Sequence, residues 1–135
     1  MKYLKAKLIK QLVNYFENDY CRISHALKVL IQTEIILRTK DDYDEDIMLA
    51  SALLHDVGIK KSETTLGYNN GTTQEKYGPP VAETLLKEID FPAEKIEKVK
   101  EIIGNHHSPS KYDYIELKIL KEADTIVNQR ECSLL

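Results

Sequence analysis

Side chains able to hold a metal or move a proton fall in this chain where apolar ones are expected. Asp124 lies among Leu117, Leu120 and Val127 at successive helical spacings, so its carboxylate points inward with the core residues. An unpaired buried carboxylate is costly, so it needs a partner or a chemical role. Alone, Asp124 also fits a structural acid bonded to a helix N-terminus or paired with an arginine. His55 and Asp56 follow the apolar run Ile47-Met48-Leu49-Ala50-Ser51-Ala52-Leu53-Leu54. Adjacent residues on a regular helix diverge by about 100°, but at a helix end both can turn toward one ion. One nitrogen and one oxygen donor together suit a borderline divalent cation. Alone, the pair also reads as a histidine favoured by the helix dipole and an aspartate in a turn. His25 stands on the shoulder of another apolar stripe, with Arg22 one turn before it and Val29 one turn after. Alone it reads as a partly buried core residue. The three features occur together in a chain with only four histidines, and that combination points to a site.

The elements that must position these residues all read as helices. Residues 2–17 place Leu4, Leu8, Leu12 and Tyr15 on one face, and Asn18-Asp19 is a break. Residues 19–37 carry the stripe Leu27, Leu30, Ile31 and Ile35. The acidic cluster Asp41–Asp46 opens a third helix over 44–56, where negative charge is favourable. That helix is apolar on nearly every face, which predicts the most buried position in the fold. Gly58 is expected to end it. Residues 59–78, polar and including Asn69-Asn70-Gly71, read as one long loop of the kind that carries function. A fourth helix then starts at Pro79 or Pro80, suited to a first turn, and runs to about Ile89. A fifth starts at Pro92, buries Ile96, Val99 and Ile103, and ends at Gly104–His107. A sixth runs from Tyr114 to Gln129. No window alternates like a strand, so the fold class is all-α: a compact bundle of about six helices in a single domain spanning 1–135.

With 42% hydrophobic and 30% charged residues, the chain has the balance of a globular protein. A net charge of −3 with both signs interspersed gives no general attraction to extended nucleic acid or to an anionic membrane. Cys21 and Cys132 form no metal-type pair and read as reduced thiols. No stretch reaches the ~20 apolar residues that span a bilayer, and Met1–Leu12 lacks a signal-peptide pattern. The expected location is cytoplasmic. Oligomeric state stays open, with a dimer possible.

Three segments together resemble a known family. Arg22-Ile23-Ser24-His25-Ala26-Leu27-Lys28-Val29, Leu53-Leu54-His55-Asp56-Val57-Gly58 and Glu122-Ala123-Asp124 look like the H…HD…D signature of HD-domain phosphohydrolases. Gly78–Glu83 and Ile102–His107 resemble intervening elements, so the likeness spans about Asp19 to Asn128. The resemblance implies a helical bundle holding one divalent ion through His25, His55, Asp56 and Asp124. It implies hydrolysis of a phosphate ester or anhydride of a small metabolite, with a nucleotide as the expected substrate, by a metal-activated water. Imidazole ligands favour Mn, Co, Ni, Zn or Fe over Mg. His106 and His107 stand where second-site histidines occur in binuclear members, but Gln74-Glu75-Lys76-Tyr77 contains no histidine. One metal is therefore the expectation, with two possible if Glu or water fills the gap. Ile59, where the cyclic-dinucleotide phosphodiesterases have lysine, counts against that subgroup.

Asp56, His106 and His107 are the candidate catalytic residues, either histidine serving as a second-site ligand or as a general acid. Arg22, three residues before His25, can direct two donors at a phosphate. Lys60 and Lys61 follow the His-Asp pair and can bind a second phosphate. Tyr68 and Tyr77 can close over a nucleobase. Two other readings remain beside the hydrolase: a non-catalytic HD module that binds a nucleotide or metal, and a metal-dependent oxygenase, which needs more ligands than can be assigned.

Overall fold

The computed structural model describes residues 1–133, with side chains described through Glu131; the side chain of Cys132 lies outside them. Seven helices are described, and among the described residues there is no strand. They are α1 (Leu4–Phe16), α2 (Tyr20–Leu37), α3 (Glu45–Leu54), α4 (Gly58–Leu66), α5 (Gly71–Lys87), α6 (Ala93–Ile103) and α7 (Ile115–Ser133).

α3 is the axis of the bundle. Its start is defined by Asp44, whose side chain accepts from the Ile47 amide at 3.0 Å, with Glu45 and Asp46 in the first turn. Every residue from Ile47 to Leu54 is buried, as an all-round apolar helix requires. α1, α2, α6 and α7 all pack against it. α1 contributes the ridge Leu4, Leu8, Leu12 and Phe16, one residue per turn, with Tyr15 only half-buried beside it. α7 contributes Leu117, Ile119, Leu120, Ala123 and Val127. Glu116, buried at the start of α7, accepts from the Asp44 amide at 2.8 Å and pairs with Lys98 at 3.0 Å. That acid ties α3, α6 and α7 together at the end of the bundle opposite the C-terminus of α3.

The structure corrects the reading of two segments. Ile31 and Ile35 are 59% and 42% exposed. α2 is covered by α3 and α7 along Ala26, Val29, Leu30, Thr33 and Ile36 instead, a stripe rotated from the expected one. The expected long loop 59–78 is a helix, a short turn and another helix. The glycine and asparagine residues that suggested a loop are the caps of these helices. Gly67 closes α4 in the left-handed region at φ 82°, its amide donating to the Glu63 carbonyl at 2.9 Å, as a C-terminal glycine does. Asn70 and Thr73 form a reciprocal capping box that starts α5. Pro79 and Pro80 therefore sit inside α5 and not in a first turn. Having no N–H, they leave the carbonyls of Glu75 and Lys76 without their helical donors.

Gly58 likewise does not end α3; it begins α4. A β-carbon there would lie 2.6 Å from the Gln74 carbonyl oxygen and from the Gly78 amide. The bare backbone at Gly58 lets α5 cross directly over the start of α4, which brings Gln74 and Glu75 beside the residues described next.

Candidate metal centre

The C-terminal end of α3 points its last polar residues at α2 and α7. His55 is fully buried, and its Nδ1 donates to the Ala52 carbonyl at 2.8 Å. That bond leaves Nε2 as the lone-pair nitrogen of the neutral ring. Nε2 lies 3.4 Å from both Asp56 Oδ2 and Asp124 Oδ1. From α2, His25 sets Nε2 2.9 Å from Asp124 Oδ1 and 3.5 Å from Asp56 Oδ2. Its Nδ1 is held by Glu131 at 2.7 Å. Two imidazole nitrogens and two carboxylate oxygens, from α2, the α3–α4 turn and α7, thus converge on one point.

All four of these atoms carry lone pairs. Facing one another in a buried place they repel, unless protons or a cation lie between them. His55 Nε2 makes no hydrogen bond although it is buried. Ligand atoms about 2.1 Å from a divalent ion are separated by roughly 3.0 Å in octahedral and roughly 3.4 Å in tetrahedral arrangements. The observed separations span 2.9 to 3.5 Å. His25, His55 and Asp56 lie close enough together to hold a divalent ion, and Asp124 Oδ1 stands 2.9 and 3.4 Å from the two histidine Nε2 atoms as the fourth candidate ligand.

Residues 22–129 match the family model described as HD domain. The chain belongs to the HD-domain family. Comparison with curated proteins and with solved structures gave no match. HD domains are in general metal-dependent hydrolases that bind divalent ions, and the His/Asp cluster of this HD domain can hold one. Among the described residues no helix is long and apolar enough to cross a membrane.

The electrostatics of the cluster favour positive charge between these atoms. Burial opposes charging of His55, but the carboxylates of Asp56 and Asp124 outweigh it and hold its pKa well above the ordinary value. His25 shifts the same way: burial opposes, and hydrogen bonds to Asp124 and Glu131 prevail. Burial also works against charge on the two aspartates. It is overcome at Asp56 by His55 and His106, which hold the carboxyl well below the usual range, and at Asp124 by His25 and His55.

The other histidine pair divides. His106 is buried, donates from Nδ1 to the Ile103 carbonyl, and turns an unpartnered Nε2 toward Asp56 Oδ1 at 3.6 Å. Asp56 therefore offers one oxygen to the His25/His55 cluster and the other to His106. His107 stays at the exposed rim, its Nε2 donating to Gln74 Oε1; burial and the neighbouring His106 push its pKa down. Asp56, His106 and His107 form a second group that can hold an ion, with the Gln74 amide at its edge. Glu75 accepts from the His107 amide, the Ser108 amide and Ser108 Oγ, at 3.0, 3.0 and 2.9 Å, which fixes this loop on α5.

The basic candidates sit differently. The Arg22 guanidinium is held by Asp19 at 2.9 Å and by both oxygens of Glu63 at 3.1 and 3.2 Å. A polar line continues from Glu63 through Asn69 and Gln74 to His107. Lys60 donates to the Tyr15 carbonyl at 2.9 Å. Lys61 lines a shallow hollow with Tyr15, Pro80 and Val81. Tyr68 is exposed at the turn after α4, and Tyr77 lies under the Lys76 ammonium. Sequence reasoning missed Glu131, Gln74 and Lys121. Of these only Glu131 left a signal, standing two helical turns after Asp124 on the same face.

Proposed function

We propose that this HD domain hydrolyses a phosphate ester or anhydride of a small metabolite, nucleotides included, with one divalent ion held by His25, His55, Asp56 and Asp124. The observation that carries the reading is the buried convergence of two histidine Nε2 atoms on two aspartate oxygens, with His55 Nε2 lacking any hydrogen bond. Bound there, a divalent ion supplies positive charge to the phosphoryl oxygens and a water of lowered pKa. The nitrogen donors favour Mn, Co, Ni, Zn or Fe over Mg.

The protein's own groups do the rest. Glu131 and the Ala52 carbonyl fix the ring orientation of His25 and His55, so both Nε2 atoms are preset. Asp56 Oδ1 faces away from the cluster toward His106 and is the oxygen that can accept the proton of an attacking water. His106 Nε2, buried and unpartnered, can hold a proton and deliver it to the leaving oxygen. His107 keeps its place at the rim through Gln74. A pocket of about 490 Å³ opens on Asp124, His106 and His107, a size within the range of small-ligand sites.

The test is elemental analysis of the purified protein and of Asp56→Ala, each then assayed for phosphate release from a phosphoester panel that includes nucleotides. About one equivalent of transition metal per chain, lost with activity in the variant, is the expected result. A folded wild-type protein that takes up no metal under any loading condition overturns it.

A further inference from the structure

The pocket beside the cluster contains a cation that the site described so far does not use. α7 turns one face to it, with Lys121, Asp124, Thr125 and Asn128 all lining the space at i, i+3, i+4 and i+7. Asp124 bends into the cluster, so Lys121 stands one turn before it and Asn128 one turn after. The Lys121 ammonium is fixed by one hydrogen bond, to the Ser108 carbonyl at 2.7 Å, and Ser108 is itself pinned by Glu75. An ammonium has three donors, so two remain for the pocket. Among the described residues no carboxylate pairs with Lys121, and no other Lys or Arg lines this pocket. Arg22 and Lys60 are engaged elsewhere, by acids and by a main-chain carbonyl.

The remaining lining narrows the ligand. Ser108, Thr125 and Asn128 offer hydroxyl and amide groups, and no Phe or Tyr ring is among the described residues there. The rings that line it are the imidazoles of His106 and His107, which belong to the site already described, and Pro109. A hydroxylated carbon skeleton, by contrast, finds donors and acceptors on the three side chains outside that site. Resting on the hydrolase reading above, we propose that Lys121 binds the substrate's phosphate oxygens and that the substrate is a phosphate ester on a polyhydroxylated skeleton. A sugar phosphate and the ribose-phosphate part of a nucleotide share that chemistry.

Two measurements on the metal-loaded protein test this: binding of inorganic phosphate by calorimetry, and steady-state kinetics on ribose 5-phosphate and adenosine 5′-monophosphate. Loss of a charge-assisted hydrogen bond in Lys121→Met should weaken phosphate binding and raise KM by about tenfold to a hundredfold, with metal content unchanged and Lys121→Arg recovering part. Asn128→Asp, which leaves the Ser108 contact in place, should raise KM by setting a carboxylate beside the phosphate. The two substrates should have similar KM values. Unchanged phosphate affinity and KM in a folded, metal-replete Lys121→Met overturns the role of Lys121 while leaving the hydrolase reading intact. A KM for adenosine 5′-monophosphate lower than that for ribose 5-phosphate by more than about tenfold shows that the base is read and overturns the substrate class. Wild-type protein that binds phosphate through Lys121 but hydrolyses nothing supports the phosphate site and removes the hydrolase reading. Wild-type protein that binds no phosphate removes the role of Lys121.

Discussion

Glu131 holds His25 Nδ1 at 2.7 Å, and through that bond it determines which nitrogen His25 turns toward Asp124. The carboxylate accepts the Nδ1 proton, orients the ring and makes Nε2 a stronger donor to a metal. Replacing Glu131 by Ala should weaken metal affinity about 10- to 100-fold, measured by competition against a chromophoric chelator. Glu131→Gln, whose amide oxygen still accepts from Nδ1, should lose less. Equal affinity in Glu131→Ala and wild type would show that His25 needs no such partner.

His106 and His107 should separate in kinetics. Of these two, His106 carries the buried, unpartnered Nε2 near Asp56, whereas His107 spends its Nε2 on Gln74. His106→Ala should lower turnover by roughly 10²- to 10⁴-fold, the usual contribution of general acid–base catalysis. The clustered metal of the His25/His55 group should be retained. His107→Ala should have the smaller effect. The reverse order, measured at saturating substrate, would assign the proton to the rim.

The metal-free protein should be most stable in mild acid. Asp56 and Asp124 titrate below their unfolded value of 3.8, so their contribution is complete above it and is lost as pH falls through the folded values. His25 and His55 titrate above 6.5. Their contribution is complete below that value and is lost as pH rises through the folded values. In chelator, Tm should therefore peak between these limits and fall on going to alkaline pH. Metal requires deprotonated rings, so the loaded protein should peak at higher pH. Superimposable Tm profiles with and without chelator would mean that no ion binds this cluster.

Gly58→Ala should destabilise the fold by about 1–3 kcal/mol, the usual cost of overpacking. Its new β-carbon meets the α5 backbone at 2.6 Å, which cannot swing aside as a side chain can. Urea unfolding measures the loss. A wild-type midpoint in the variant would show that α4 and α5 separate freely there.

Local sequence chemistry accounts for much of this molecule. The all-α class, the central burial of 47–54 and the inward placement of Asp124 follow from apolar periodicity, which depends only on near neighbours along one helix. The HD family likewise is legible from three short segments. Where local reading failed, polar residues had two uses that look alike in one dimension. Gly67, Asn70 and Thr73 read as loop because caps and loops employ the same side chains. Ile31 and Ile35 read as core because α2 is apolar on more than one face. Packing against α3 and α7 chose the other one.

By itself, then, the sequence determined which side chains can hold a metal and which helix must lie at the centre, since both depend on residue type and helical period. Only the tertiary structure decided how these groups are served. The partners of His25 and His107 lie 106 and 33 residues away in sequence, and Lys121 of α7 meets Ser108, which Glu75 of α5 holds in place. Such pairings follow from how helices cross, and a crossing such as that of α5 over Gly58 depends on the shapes of two distant segments at once.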